Sequence, residues 1–109
     1  METFEEAKRS GKPIFIDVTA NWCKKCKSIE SNVLDTRKAV QALNQVVALK
    51  VDWSTGVSDE YMNSTQEMLN TPGLPYFLFL KPGGKEAARA EDLKSPEQLI
   101  FYLQQAGAK

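Results

Sequence analysis

The chain has 109 residues, 42% of them apolar and 26% charged, enough for one ordinary globular core without staples or metal. Fourteen basic and 14 acidic residues balance to a formal net charge of zero, so no basic stripe marks a nucleic-acid surface. The apolar runs are only a few residues long, far short of the ~20 needed to span a membrane, and no N-terminal apolar segment reads as a signal peptide.

Thr3-Phe4-Glu5-Glu6 fits a capping box, which predicts a short helix over 4–10 that stops at Gly11. Pro13 leads into Ile14-Phe15-Ile16-Asp17-Val18, apolar on both alternating faces except for Asp17, the pattern of a strand in the middle of a sheet. After the segment Thr19-Ala20-Asn21-Trp22-Cys23-Lys24-Lys25-Cys26-Lys27, residues Ile29, Val33 and Leu34 fall at helical spacing from Cys26. Asp35 is placed to cap a further helix over 36–44, with Val40 and Leu43 facing inward. Val46 to Asp52 reads as a second strand, and Ser54-Thr55-Gly56 as a loop. Ser58 caps a helix of about ten residues carrying Tyr61, Met62, Met68 and Leu69, which must end before Pro72. Thr71-Pro72-Gly73-Leu74-Pro75 is a rigid turn into a third strand, Tyr76 to Leu80. Pro82-Gly83-Gly84-Lys85 turns into a short polar strand near 86–90. Ser95-Pro96-Glu97-Gln98 opens a last helix to about Gln105. The order α-β-α-α-β-α-β-β-α makes the first two strands parallel and the last two antiparallel, in a buried mixed sheet of the α/β class with helices on both faces.

The chemistry concentrates at Cys23 and Cys26, the only cysteines. Two sulfurs three positions apart can join if the turn holds their Cα atoms within about 7 Å. A cysteine at a helix N-terminus also faces unpaired amides that favour a thiolate. Such a pair suits a dithiol that is oxidised and reduced in turn; an inert structural disulfide is the alternative. The chain has no histidine, which excludes Ser/His and Cys/His catalysis, and no second cysteine pair for a zinc ribbon.

Trp22-Cys23-x-x-Cys26-Lys27 after a buried strand, Asp17 six residues before Cys23, and Leu74-Pro75 ahead of the third strand together resemble the thioredoxin superfamily. The resemblance covers nearly the whole chain and implies a thioredoxin-like mixed sheet of four to five strands. Within the superfamily the chain is most similar to the C-terminal periplasmic domain of the DsbD membrane reductases. The residues that carry this are Gly11-Lys12-Pro13, Asp17, Ala20-Asn21-Trp22-Cys23, Glu30 and Gly73-Leu74-Pro75; the basic pair Lys24-Lys25 departs from that family.

That resemblance implies roles. Cys23 is the exposed nucleophile that forms a mixed disulfide, and Cys26 resolves it from the buried side. Trp22 shields the loop, or else belongs to the core. Asp17, beneath Cys26, accepts the proton that leaves Cys26, unless it is only a hydrogen-bonded strand-end carboxylate. Glu30 shares a helix face with both cysteines; its charge pushes the pKa of Cys23 up while Lys24, Lys25 and the helix dipole push it down, with an i,i+3 pair to Lys27 as the alternative reading of Glu30. Pro75 is cis and presents Leu74 to an extended partner strand, while Lys50, Phe77 and Phe79 read as ordinary sheet residues. The exchange uses no cofactor and no metal.

The implied protein is one thioredoxin-like domain over 1–109, excised from a larger membrane protein, periplasmic, tethered to the inner membrane and monomeric. It is a reductant that takes electrons from a transmembrane donor domain and passes them to the N-terminal periplasmic acceptor domain of the same protein. Other thioredoxin-fold proteins and cytochrome c maturation lie downstream. A free-standing cytoplasmic thioredoxin and a metal-holding CxxC module are the competing readings.

Overall fold

The computed structural model describes residues 4–108. The Thr3 capping box therefore lies outside the described residues. Helix α1 spans Phe4–Arg9, buries Ala7 and ends before Gly11, which turns the chain at φ +78°, a conformation that a Cβ would oppose. Strand β1, Ile14–Thr19, is buried at every position except the half-buried Asp17, as its two-sided apolar pattern predicts. Helix α2, Lys24–Ile29, runs into a π-helical turn over Glu30–Leu34.

That turn corrects the expected cap of the next helix. The Asp35 amide donates back to the Glu30 carbonyl at 2.8 Å, an i→i+5 bond that adds one residue to the turn. Asp35 thus closes the π turn, and Thr36 caps α3, Arg37–Leu43, its Oγ1 accepting from the Ala39 amide at 3.3 Å. The helix rotates accordingly. Ala39 is fully buried while Val40 is 45% exposed, so Val40 does not face inward; Leu43 is half-buried.

Strand β2 is Val47–Asp52. Ser58 caps α4, Asp59–Leu69, by accepting from the Tyr61 amide, and Asn70 ends it in the left-handed region at φ 53°. Leu69 is the buried residue of α4, whereas Met68 is exposed. Strands β3, Tyr76–Leu80, and β4, Glu86–Ala90, form the expected hairpin. Helix α5, Pro96–Gln105, has Pro96 in its first turn and Ser95 Oγ accepting from the Gln98 amide at 3.1 Å. Gln98 completes the cap by accepting from the Lys94 amide at 2.7 Å, one residue earlier than a capping box requires.

The sheet has four strands in the order β2-β1-β3-β4. β1 pairs with β2 in parallel, setting Asp17 beside Lys50, and with β3 antiparallel, setting Asp17 beside Phe77. Alternation divides the core in two. Ile14, Ile16 and Val18 pack with Ala7, Leu69, Leu78 and Leu80 under α1 and α4, and this cluster includes Cys23, Cys26 and Trp53. Phe15, Phe77 and Phe79 pack with Ile29, Val33, Leu99 and Leu103 under α2, α3 and α5. Helices thus cover both faces of a mixed sheet, and the central strands end at the head of α2.

Candidate functional site

Cys23 and Cys26 are joined by a disulfide across Cα atoms 5.3 Å apart. The junction explains why they meet. Cys23 has extended backbone at the N-cap of α2, and its sulfur accepts from the Cys26 amide at 3.1 Å, so the first helical turn folds one sulfur over the other. The sulfur stands where a serine or threonine oxygen would cap a helix. An amide aimed at Cys23 Sγ, with the helix dipole behind it, favours negative charge there once the bond opens.

Exposure separates the two sulfurs less than the sequence suggests. Cys23 is 8% and Cys26 5% exposed, so Cys23 is not an open residue beside a covered one. What distinguishes them is position: Cys23 precedes the helix and Cys26 lies within it. Trp22, between the strand and the disulfide, is 58% exposed and outside the core. Its indole N–H donates to the Trp53 carbonyl at 3.1 Å. Trp53 is buried, donating its own indole N–H to Thr65 Oγ1 at 2.8 Å and its amide to the Thr19 carbonyl. Asn21 is tied to the same β2–α4 loop: its amide donates to Ser54 Oγ, and its Oδ1 accepts from the Thr55 amide. Ser54 in turn donates to Asp52. The approach to the disulfide is thus braced on the loop after β2. Trp53 escaped the sequence reading, although Leu49, Val51 and Trp53 continue one alternation and could have revealed it.

The Leu74–Pro75 peptide bond is cis, as the resemblance implies. Pro72, Gly73, Leu74, Pro75 and Tyr76 line a groove with Lys25, which lies between the two cysteines, and Glu91. Lys25 also pairs with Asp92 at 3.7 Å. The main-chain groups of Gly73 and Leu74 make no hydrogen bond among the described residues. An extended peptide laid along this groove would find them open.

Asp17 and Glu30 come together around a second feature. Both line a cavity with Phe15, Leu34 and Lys50 between β1, β2 and the π turn. The Glu30 amide donates to the carbonyls of Cys26 and Lys27, so this carboxylate sits one turn beyond Cys26. Burial pushes the Asp17 carboxyl up to about 6; the Lys50 ammonium opposes this, and the negative charges of Glu30 and Asp52 add to it. A carboxyl in that range is charged near neutrality yet takes a proton readily. Lys50 is therefore more than an ordinary sheet residue: the parallel register sets it against Asp17. Glu30 makes no ion pair with Lys27 among the described residues, although both line a groove with Lys50 and Asp52. Among the described residues no three His, Cys, Asp or Glu side chains converge as a metal site.

Two sulfurs that join at the first turn of a helix, beside a groove with open main-chain groups, suit disulfide exchange with another dithiol. The domain is a thiol–disulfide oxidoreductase. Residues 1–82 match the family described as thioredoxin-like, and the chain belongs to that family. The thiol:disulfide interchange protein DsbD of Yersinia enterocolitica is 33% identical over 100 residues, covering 90% of this chain and 17% of that protein. DsbD of Campylobacter jejuni is 27% identical over 100 residues, covering 92% and 17% respectively. The chain thus spans about a sixth of the length of these relatives. Among solved structures, the reduced C-terminal domain of Neisseria meningitidis DsbD superposes with a TM-score of 0.77 at 18% identity, over 94% of this chain and 88% of that one. A thioredoxin from Thermus thermophilus gives 0.74 at 21% identity, over 95% and 86%. Both structures share the fold, and the sequence relatives add the link to DsbD. No helix among the described residues is long and apolar enough to cross a membrane.

Proposed function

We propose that this domain is a periplasmic reductant that relays electrons from a membrane-embedded dithiol to a partner domain, as the C-terminal part of a DsbD-like protein tethered to the inner membrane. The observation that carries the reading is the Cys23–Cys26 bond at the head of α2, beside the open Gly73–Leu74 main chain. In the reduced state the Cys23 thiolate attacks one sulfur of the partner disulfide. A mixed disulfide forms, and the partner's other sulfur leaves as a thiolate. Cys26 then loses its proton to Asp17 and attacks Cys23 Sγ, which closes the internal disulfide and releases the partner as a dithiol. Two electrons have moved to the partner, and a donor dithiol restores the pair by the same steps in reverse. The partner strand pairs with Leu74 beside Pro75, and Trp22 covers the flank of the exchange.

Glu30 favours the reductant direction. Its charge, one turn from Cys26, disfavours a thiolate nearby, and a less acidic thiol is a poorer leaving group, so the internal disulfide is relatively favoured. The acceptor is the N-terminal domain of the same protein, or another thioredoxin-fold protein. The test is a trapping experiment with the purified acceptor and membrane domains of a DsbD relative. Cys26→Ser should accumulate a mixed disulfide with the acceptor, and Cys23→Ser should accumulate none. Reduction by a flavin-dependent thioredoxin reductase, with no transfer from the membrane domain, would instead mark a free-standing thioredoxin.

A further inference from the structure

Arg89 lies on β4 opposite Leu78, and nothing in its sequence context singles it out. In the folded chain its guanidinium is fully engaged. Nη1 donates to the Asn70 carbonyl at 2.9 Å and to the Tyr76 hydroxyl at 3.3 Å. Nη2 donates to the Leu69 carbonyl at 3.2 Å, while Nε and Nη2 fork onto the Glu86 carboxylate. The guanidinium carbon is also 5.5 Å from the centre of the Tyr76 ring, within range of a cation–π contact. Leu69 and Asn70 end α4, and Tyr76 begins β3. One side chain therefore clamps both ends of the loop 71–75.

The interior of that loop has little to hold it. Its first residue is tied back to α4, the Thr71 carbonyl accepting from Gln66 Nε2 at 3.1 Å. Gly73 and Leu74 have no main-chain bond among the described residues. Their direction is set where the loop is held, at its two ends. A planar fork with five donors suits that task, because it can satisfy the last carbonyls of a helix and a carboxylate at once; they are carbonyls that helix geometry leaves unpaired.

We infer that Arg89 is a positioning residue for partner recognition, holding the 71–75 loop in the form that pairs with an extended segment of a protein disulfide. The inference rests on the reading of Leu74 as a partner-strand contact. Without the clamp, the loop must be ordered each time a partner docks, which weakens binding. The exchange between sulfurs is untouched, so a small disulfide that needs no strand pairing should not sense the change.

The experiment compares wild type with Arg89→Met, Arg89→Lys and Glu86→Gln, using insulin as protein disulfide and glutathione disulfide as small probe, with dithiothreitol as electron donor. Arg89→Met should raise KM for insulin about tenfold with kcat held within about twofold, leave the glutathione rate unchanged, and speed amide exchange at Thr71, the loop amide that donates to the Gln66 carbonyl, while β1 amides stay protected. Arg89→Lys should recover part of the loss, and Glu86→Gln should fall between it and wild type. An unchanged insulin KM, an equal fall with both disulfides, or unaltered exchange at Thr71 overturns the inference. If Arg89→Met does not fold, Arg89→Lys and Glu86→Gln decide, and wild-type behaviour in both overturns it. Wild-type protein that fails to reduce insulin would sink the functional reading instead, with amide exchange still testing the clamp.

Discussion

Replacing Asp17 with asparagine tests the site through stability alone. The carboxyl goes from an ordinary value of 3.8 to about 6 in the folded chain, chiefly because burial penalises its charge. At about 1.4 kcal/mol per pH unit, that difference caps the effect at about 3 kcal/mol. Between these two values the folded protein keeps a proton that the unfolded chain has released. Stability therefore falls as pH rises from about 4 through about 6, and the cost is fully present above that window. An asparagine side chain has the shape of the neutral acid and cannot ionise. Asp17→Asn should match wild type near pH 4 and exceed it by about 2–3 kcal/mol at pH 7.5. Glu86 and Glu97 are held below the usual carboxylate range by Arg89 and Lys38 and so titrate with the opposite sign, but they cancel in the difference between the two proteins. Urea unfolding of the oxidised forms, followed by tryptophan fluorescence at half-unit pH steps, measures that difference without thiol titration. A gap that stays constant between pH 4 and pH 7.5 would refute the buried-carboxylate argument, and with it the case for Asp17 as proton acceptor.

Lys50→Met should move the Asp17 carboxyl further above about 6, because the opposing cation is gone; carboxyl-carbon NMR reads this directly, and a fall would contradict the charge assignment. Cys23→Ser should abolish insulin reduction, whereas Cys26→Ser should stop after one mixed disulfide; normal turnover by the latter would reverse the roles given to the two sulfurs. Leu99 is fully buried among the α5-side residues, so Leu99→Ala should cost about 2–5 kcal/mol in chemical denaturation, and a loss under about 1 kcal/mol would mean that the site collapses freely. Ser95→Ala removes the cap of α5 and should cost about 1 kcal/mol in the same assay.

The architecture was legible because local signals agreed with one another. Ile14 to Val18 shows a strand buried on both faces, Ser58 and Ser95 mark helix starts, and Pro72 and Gly84 punctuate the turns around β3. The dithiol stood out by its chemistry, as the only two cysteines set three positions apart, whereas Pro75 as a cis, partner-facing residue came only with the family resemblance. The π turn was not legible. Ile29, Val33 and Leu34 satisfy helical spacing whether one residue is looped out or not, so the cap fell one position early, at Asp35 instead of Thr36. Ala39 and Val40 exchanged places in the burial for the same reason. Trp53, Lys50 and Arg89 were missed because their partners lie across the sheet or in the next element. Thr65, Asp17 and the end of α4 become their neighbours only once the strands are in register.

Lys50 stands on β2, the outermost strand on its side of the described sheet, where the side chains of Ala48, Lys50 and Asp52 are exposed. The free margin of a sheet is a template on which a neighbouring chain can assemble, and charged side chains are a common deterrent. The cation that restrains Asp17 thus also guards against sheet-to-sheet growth. Removing it to retune the carboxylate would leave Val47 to Val51 a largely apolar, uncharged ribbon. Solubility and proton affinity are consequently bound to one ammonium group, and a variant that alters the second must be checked for self-association.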